Sequence, residues 1–157
     1  MLIIVCGLPG SGKTTHAKQV EAKLRAVRFS PDEWMNALEI DLYDSQMRER
    51  IEALQWTFAQ HLLKLGQTVI IEWGTWARAE RDALRTGARA LGASVELHFL
   101  DTPIDVLYAR IQRRNQESPP IPLEDLGKWA EAFDRPSADE MELFDAPLLP
   151  VAANPPW

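Results

Sequence analysis

Gly7-Leu8-Pro9-Gly10-Ser11-Gly12-Lys13-Thr14 decides the fold of this chain. The octapeptide fits G-x-x-x-x-G-K-[ST], the pattern of a glycine-rich loop whose backbone amides cradle phosphates. Its flanks are those such a loop needs. Before it, Leu2-Ile3-Ile4-Val5-Cys6 is a short apolar, β-branched run of the kind that makes a fully buried strand. After it, Thr14 to Ala26 carries Ala17, Val20 and Leu24 at helical spacing, so the order reads strand, glycine loop, helix.

A nucleoside triphosphate brings several negative charges that a backbone must approach closely. Gly7, Gly10 and Gly12 have no Cβ to block the approach and can take the positive-φ conformations of an anion nest. Leu8, Pro9 and Ser11 complete the frame, and the unpaired amides opening the next helix point at the phosphates. Lys13 is placed to reach the β- and γ-phosphates, the Thr14 hydroxyl to hold Mg²⁺, and Thr15 to make a further phosphate contact. The competing reading is a glycine-rich turn that binds nothing. This residue set at these offsets arises by chance in roughly one chain in a few hundred of this length, and the strand and helix context cuts that further.

The 157 residues, 46% hydrophobic and 25% charged, have the composition of an ordinary globular protein. Residues 1–150 read as a single domain and 151–157 as a disordered tail. No apolar run approaches the roughly 20 residues that span a bilayer, and no basic region precedes the first hydrophobic run, so a cytoplasmic location is expected. Cys6 is the one cysteine, which excludes an intrachain disulfide, and His16, His61 and His98 lack ligand-like spacing. A net charge of −6 argues against an extended nucleic-acid footprint.

Val27-Arg28-Phe29-Ser30 reads as a second strand ended by Pro31, with Asp32 and Glu33 just beyond it. In an open α/β sheet ligands bind beyond the carboxyl ends of strands, which makes Asp32 a candidate general base facing the loop. The same residues also form a good helix start, with Ser30 as N-cap and acids in the first turn. From Asp44 to Leu65, the residues Met47, Ile51, Leu54, Phe58, Leu62 and Leu65 recur at steps of three and four, predicting one long helix with that stripe in the core and Gly66 as its cap. The charged segment Asp41 to Arg50 either borders the acceptor or is a solvated face.

Thr68-Val69-Ile70-Ile71 is a buried strand ending in Glu72, the pattern of an acid set near Mg²⁺. Trp73 and Trp76, like Trp34, follow a strand end and either wall a pocket or pack under the sheet. A helix from Ala77 to Leu91, a strand from Ser94 to Leu100 and a helix opened by Thr102-Pro103 follow. Arg110, Arg113 and Arg114 stand near the far end of that helix, either solvated or set to absorb transition-state charge. Residues 117–122, rich in proline, lead to a short helix from Leu123 to Phe133, so 110–130 has the makings of a helical lid. A last strand is expected at Leu148 to Val151.

With these residues assembled, the chain resembles small P-loop kinases of the AAA_33 type, a group that includes the kinase part of polynucleotide kinases, chloramphenicol phosphotransferase and, more distantly, zeta-toxin kinases. The resemblance runs from Met1 to about Asn115 and more loosely to about Phe144. It implies an α/β P-loop NTPase fold, a parallel five-stranded sheet of order 2-3-1-4-5 with helices on both faces, and ATP with Mg²⁺ as the donor. Asp32 in Phe29-Ser30-Pro31-Asp32 matches the base that accepts the substrate proton, and Arg110 and Arg114 match the arginine pair of the lid helix. Ile71-Glu72-Trp73-Gly74-Thr75 is similar to the Glu-Gly-Thr of the toxins, with Trp73 inserted.

Together these residues predict transfer of the ATP γ-phosphate to a hydroxyl of a small molecule. Lys13 and the loop hold the phosphates, Thr14 and Glu72 hold Mg²⁺, Asp32 activates the acceptor and Arg110 and Arg114 close over the transferring group. Trp34, Trp73, Trp76, Asp32 and Glu72 are the expected acceptor contacts. The alternatives are a switch that binds and hydrolyses ATP, and a polynucleotide 5′-hydroxyl kinase.

Overall fold

The structure, a computed structural model, describes residues 1–114 and 121–151. Its elements run β1 (Leu2–Cys6), α1 (Lys13–Leu24), β2 (Val27–Phe29), α2 (Pro31–Ala37), α3 (Ser45–Lys64), β3 (Val69–Gly74), α4 (Arg78–Ala90), β4 (Val95–Phe99), α5 (Ile104–Arg114), α6 (Leu123–Ala132) and α7 (Ala138–Met141). The strands form one parallel sheet of order β2-β3-β1-β4.

All five residues of β1 are buried because the strand is covered on both sides. Leu2, Ile4 and Cys6 join Val69, Ile71, Val95 and Leu97 under Ala59, Leu63, Leu84, Leu107 and Leu126 of α3 to α6. Ile3 and Val5 point the other way, with Ile70 and Leu100, against Ala17 and Val20 of α1. Parallel strands with helices on both faces, opened by a glycine loop between β1 and α1, make a P-loop NTPase fold.

Among the described residues the sheet has four strands, not five. No strand forms at the expected Leu148 to Val151, and just before it pairing with β4 is a single parallel bridge between Glu96 and Asp145. Pro147 and Pro150 have no N–H to donate to a ladder, so the segment runs past the sheet without joining it. The stripe expected in the core from α3 is also displaced. Leu54, Phe58 and Leu65 are exposed, while Ile51, Gln55, Ala59 and Leu63 are buried. Asp44, not a core residue, sets the start of this helix by accepting from the Met47 amide at 3.0 Å, and Gly66 ends it at φ 75°.

α5 and α6 frame the region expected to be a lid, and residues 115–120 between them lie outside the described residues, as do 152–157 of the expected tail. α6 is anchored by Leu126 and followed by Phe133, both buried. No helix among the described residues is long and apolar enough to cross a membrane.

Candidate active site

The loops after β1, β2 and β3 meet at the carboxyl edge of the sheet around an open cleft of about 590 Å³. One wall is the glycine loop. Gly12, at φ 93°, caps α1, and helix geometry leaves the following amides of Lys13, Thr14 and Thr15 without a carbonyl inside the helix. Gly10, at φ 81°, has a second reason to be glycine. A Cβ there would lie 3.0 Å from Ile111 Cγ1 and 3.1 Å from the Leu107 carbonyl, so the missing side chain lets α5 pack on the loop. Lys13 Nζ donates to the carbonyls of Gly7 at 2.9 Å and Leu8 at 3.1 Å, which folds the lysine over its own loop.

Glu72 ends the apolar run of β3 beside the loop. Its Oε1 accepts a short hydrogen bond from the Thr14 hydroxyl, and its Oε2 accepts from Arg28 Nη1 at 2.9 Å. Burial pushes the Glu72 carboxyl above its ordinary range, opposed by the Thr14 hydrogen bond and the Arg28 guanidinium. Arg28 itself donates Nε to Glu21 at 3.0 Å and Nη2 to Glu33 at 2.8 Å, so one guanidinium gathers three carboxylates. Burial works against its charge, but the bonds to Glu33 and Glu21 and the nearby Glu72 more than offset this, and its pKa rises.

The inserted Trp73 is accommodated as a β-bulge. Ile4 pairs with Ile71 but Cys6 pairs with Gly74, which leaves one extra residue on β3. In an unbroken strand Glu72 and Trp73 would point to opposite faces. At the bulge both line the cleft.

Asp32 also lines the cleft, from the first turn of α2, so the helix-start and cleft readings hold together. Arg48 of α3 donates Nη2 to Asp32 Oδ1 at 2.5 Å, and Tyr43 lies on the same wall. The charged segment before and within α3 therefore does border the cleft. Asp41 and Asp44 serve local backbone, accepting from the Tyr43 and Met47 amides. Arg110 and Arg113 stand on the facing wall. Burial lowers the pKa of Arg110, and the charge of Arg113 lowers it further. Arg114 ends α5, and its side chain lies outside the described residues.

Of the three tryptophans expected around the acceptor, Trp73 and Trp76 line the cleft, and Trp73 Nε1 donates to Gln55 Oε1 at 2.8 Å. Trp34 instead packs edge-on against Phe29, with ring centroids 6.1 Å apart. Trp129 of α6 lines the cleft in its place and meets Trp76 edge to face at 6.3 Å. Sequence reasoning missed Arg28, Tyr43, Arg48 and Trp129. An arginine inside a three-residue strand was the one local signal among them, because it needs acidic partners to be buried there.

Sequence comparison gives the class of the chain. Residues 2–136 match the AAA_33 family, described as an AAA domain, and the chain belongs to that family. No curated protein matches it significantly. Among solved structures, it is similar to a chain of the Pnkp1/Rnl/Hen1 RNA repair complex, with 26% identity and a TM-score of 0.71 over 98% of this chain and 49% of that one. A protein from Chloroflexus aurantiacus j-10-fl described as a putative kinase shares 26% identity over 80% of this chain and 73% of its own, with a TM-score of 0.62. A gluconokinase from Sinorhizobium meliloti 1021 shares the fold at 20% identity and a TM-score of 0.61, covering 87% of this chain and 77% of its own.

Proposed function

We propose that this protein transfers the γ-phosphate of ATP to a hydroxyl group of a small molecule. The observation that carries the proposal is that Asp32 lines the same cleft as Lys13 and the glycine loop, with Arg110 and Arg113 opposite. A nucleotide switch has no use for a carboxylate at that place, whereas a kinase needs one. The gluconokinase and the Chloroflexus aurantiacus protein described as a putative kinase support this reading of the fold.

In the proposed reaction the loop amides and Lys13 hold the phosphates. The acceptor oxygen forms a bond to the γ-phosphorus as the bond to the β,γ-bridging oxygen breaks. ADP leaves with that electron pair, and the hydroxyl proton passes to Asp32. Arg48 holds Oδ1 of Asp32, and the proton would go to Oδ2. Arg110 and Arg113 balance the charge spread over the transferring group. Thr14 and Glu72 fit Mg²⁺ as a hard oxygen pair, because the Thr14 hydroxyl donates its hydrogen to Glu72 and keeps its lone pairs for a cation. Bound there, the ion would neutralise phosphate charge.

The test is ADP release from ATP with nucleosides, aminoglycosides, amphenicols and sugars added in turn. Release that depends on one of these classes is expected, and release indifferent to every hydroxyl compound points to the switch. A polynucleotide acceptor is favoured by one observation, the match to the RNA repair complex over 98% of this chain. Tight binding of single-stranded RNA or DNA that weakens steeply with salt would establish that reading instead.

A further inference from the structure

A second cavity of about 520 Å³ opens between α3 and α4 and continues from the cleft, sharing Arg48, Trp73 and Trp76 with it. We propose that it selects an acceptor carrying a protonated amine beside its hydroxyl, seated by the carboxylates of Glu49, Glu52 and Glu80 and the indoles of Trp56, Trp73 and Trp76. This deepens the kinase reading and rests on it for the word acceptor.

The cavity gathers three acids from two helices against one base. That base, Arg48, is committed to Asp32 at 2.5 Å and lies 4.0 Å from Glu52. Glu80 accepts from the Ala77 amide at 3.0 Å at the start of α4, but like charges brought together across two elements repel, and Arg48 is the one base among the described residues of the lining to offset them. Burial pushes Glu52 up to about 7, Arg48 opposes this, and Glu80, Asp32 and Glu49 add to it. A cation in the cavity would relieve all three acids.

Two further features point to a ligand. Thr75 lines the cavity and is 5% exposed, yet its hydroxyl has no hydrogen-bond partner among the described residues. Trp56 is seated by design of the backbone: a Cβ on Gly87, in the middle of α4, would come within 2.8 Å of its Cζ2. Glycine inside a helix costs about 1 kcal/mol relative to alanine, so room for this indole is kept at the expense of the helix. Indole faces beside carboxylates form a cage that an ammonium group satisfies and a neutral hydroxyl does not.

The probes are phenylethanolamine, glucosamine and kanamycin, each against its N-acetylated form, which keeps the hydroxyls and removes the charge. Tryptophan fluorescence reads binding with ATP present, and ADP release reads transfer. At least one amine is expected to bind saturably and stimulate ADP release, with its acetylated form at least about tenfold weaker. The double variant Glu49→Gln, Glu52→Gln should lose about tenfold in amine affinity and less than about twofold for the acetylated compound. Equal binding and equal transfer with both forms overturns the inference and leaves the kinase standing. Selective amine binding with no ADP release from any hydroxyl compound overturns the kinase reading and leaves the cation pocket.

Discussion

Arg81 of α4 is fully buried and makes five hydrogen bonds. Its Nε and Nη2 reach the two carboxylate oxygens of buried Glu140, at 2.6 and 2.9 Å. The others go to the carbonyls of Thr75, Trp76 and Asp134, at 3.0, 3.1 and 2.7 Å. Glu140→Gln keeps the shape and an acceptor oxygen but leaves the guanidinium charge unbalanced. Breaking a buried pair from one side costs roughly 3–5 kcal/mol, and the retained acceptor places this variant near the lower end. A loss of about 3 kcal/mol corresponds to a Tm lower by roughly 6–12 °C in a protein of this size. Pairwise replacement by apolar residues often restores such stability. Here Arg81→Met with Glu140→Leu should not restore it, because three backbone carbonyls lose their donor at about 1–3 kcal/mol each. Urea unfolding followed by circular dichroism measures both variants. A Glu140→Gln protein within about 1 kcal/mol of wild type, or a double variant fully restored, would refute the reasoning.

Lys13→Ala removes a cation from the phosphates and should weaken ATP binding at least about tenfold, as read by calorimetry on the folded variant. Asp32→Asn should leave ATP affinity in place and lower single-turnover transfer by about 10²–10⁴; transfer within about threefold of wild type would remove Asp32 as the base. Gly10→Ala should destabilise the fold by about 1–2 kcal/mol for the left-handed backbone alone, with an added cost from contact with Ile111, and an unchanged Tm would count against the tight packing of α5 on the loop. Acid sensitivity has two opposed sources. Burial, helped by His98, pushes His16 from 6.5 down to about 4, so the unfolded chain binds more protons in that window and stability is lost as pH falls through it. Glu52, pushed from 4.5 up to about 7, has the reverse sign and loses stability as pH rises through its window. Glu52→Gln should therefore make the fall in stability from pH 6.5 to 4.5 steeper, and urea titrations showing an unchanged slope would contradict these assignments.

The glycine loop, β1, β3 and the position of Glu72 were legible in the sequence because each is written in adjacent residues. The buried face of α3 was not. Leu54, Phe58 and Leu65 satisfy a helical period as well as Ile51, Ala59 and Leu63 do, and what decides is tertiary: Gln55 is buried because its amide oxygen receives Trp73. Trp34 and Trp129 exchanged roles for a similar reason, since a tryptophan shows the same local pattern whether it meets Phe29 or faces a cleft. Arg48 was invisible as a site residue because its carboxylate, Asp32, stands 16 positions away, and the tie of Arg28 to the site was hidden because Glu72 stands 44 positions away although Glu21 and Glu33 are near it in sequence. Asp32 was legible in position but not in partner.

The reduced fifth strand decides how this sheet ends. An outer strand ordinarily presents a row of free donors and acceptors on which another chain can assemble. At the start of β4 the chain itself takes up that row at Val95. The amide of Val95 is taken by the Asp145 carboxylate at 2.7 Å, its carbonyl by the Asp145 amide at 2.8 Å, and the Glu96 carboxylate holds the amide of Leu148 at 3.2 Å. Pro147 and Pro150 deny the covering segment a ladder of its own. The opposite edge is β2, three residues long and carrying charged Arg28. A chain cut short before Asp145 would lose both bonds at Val95 and lengthen the free edge of β4 at its start.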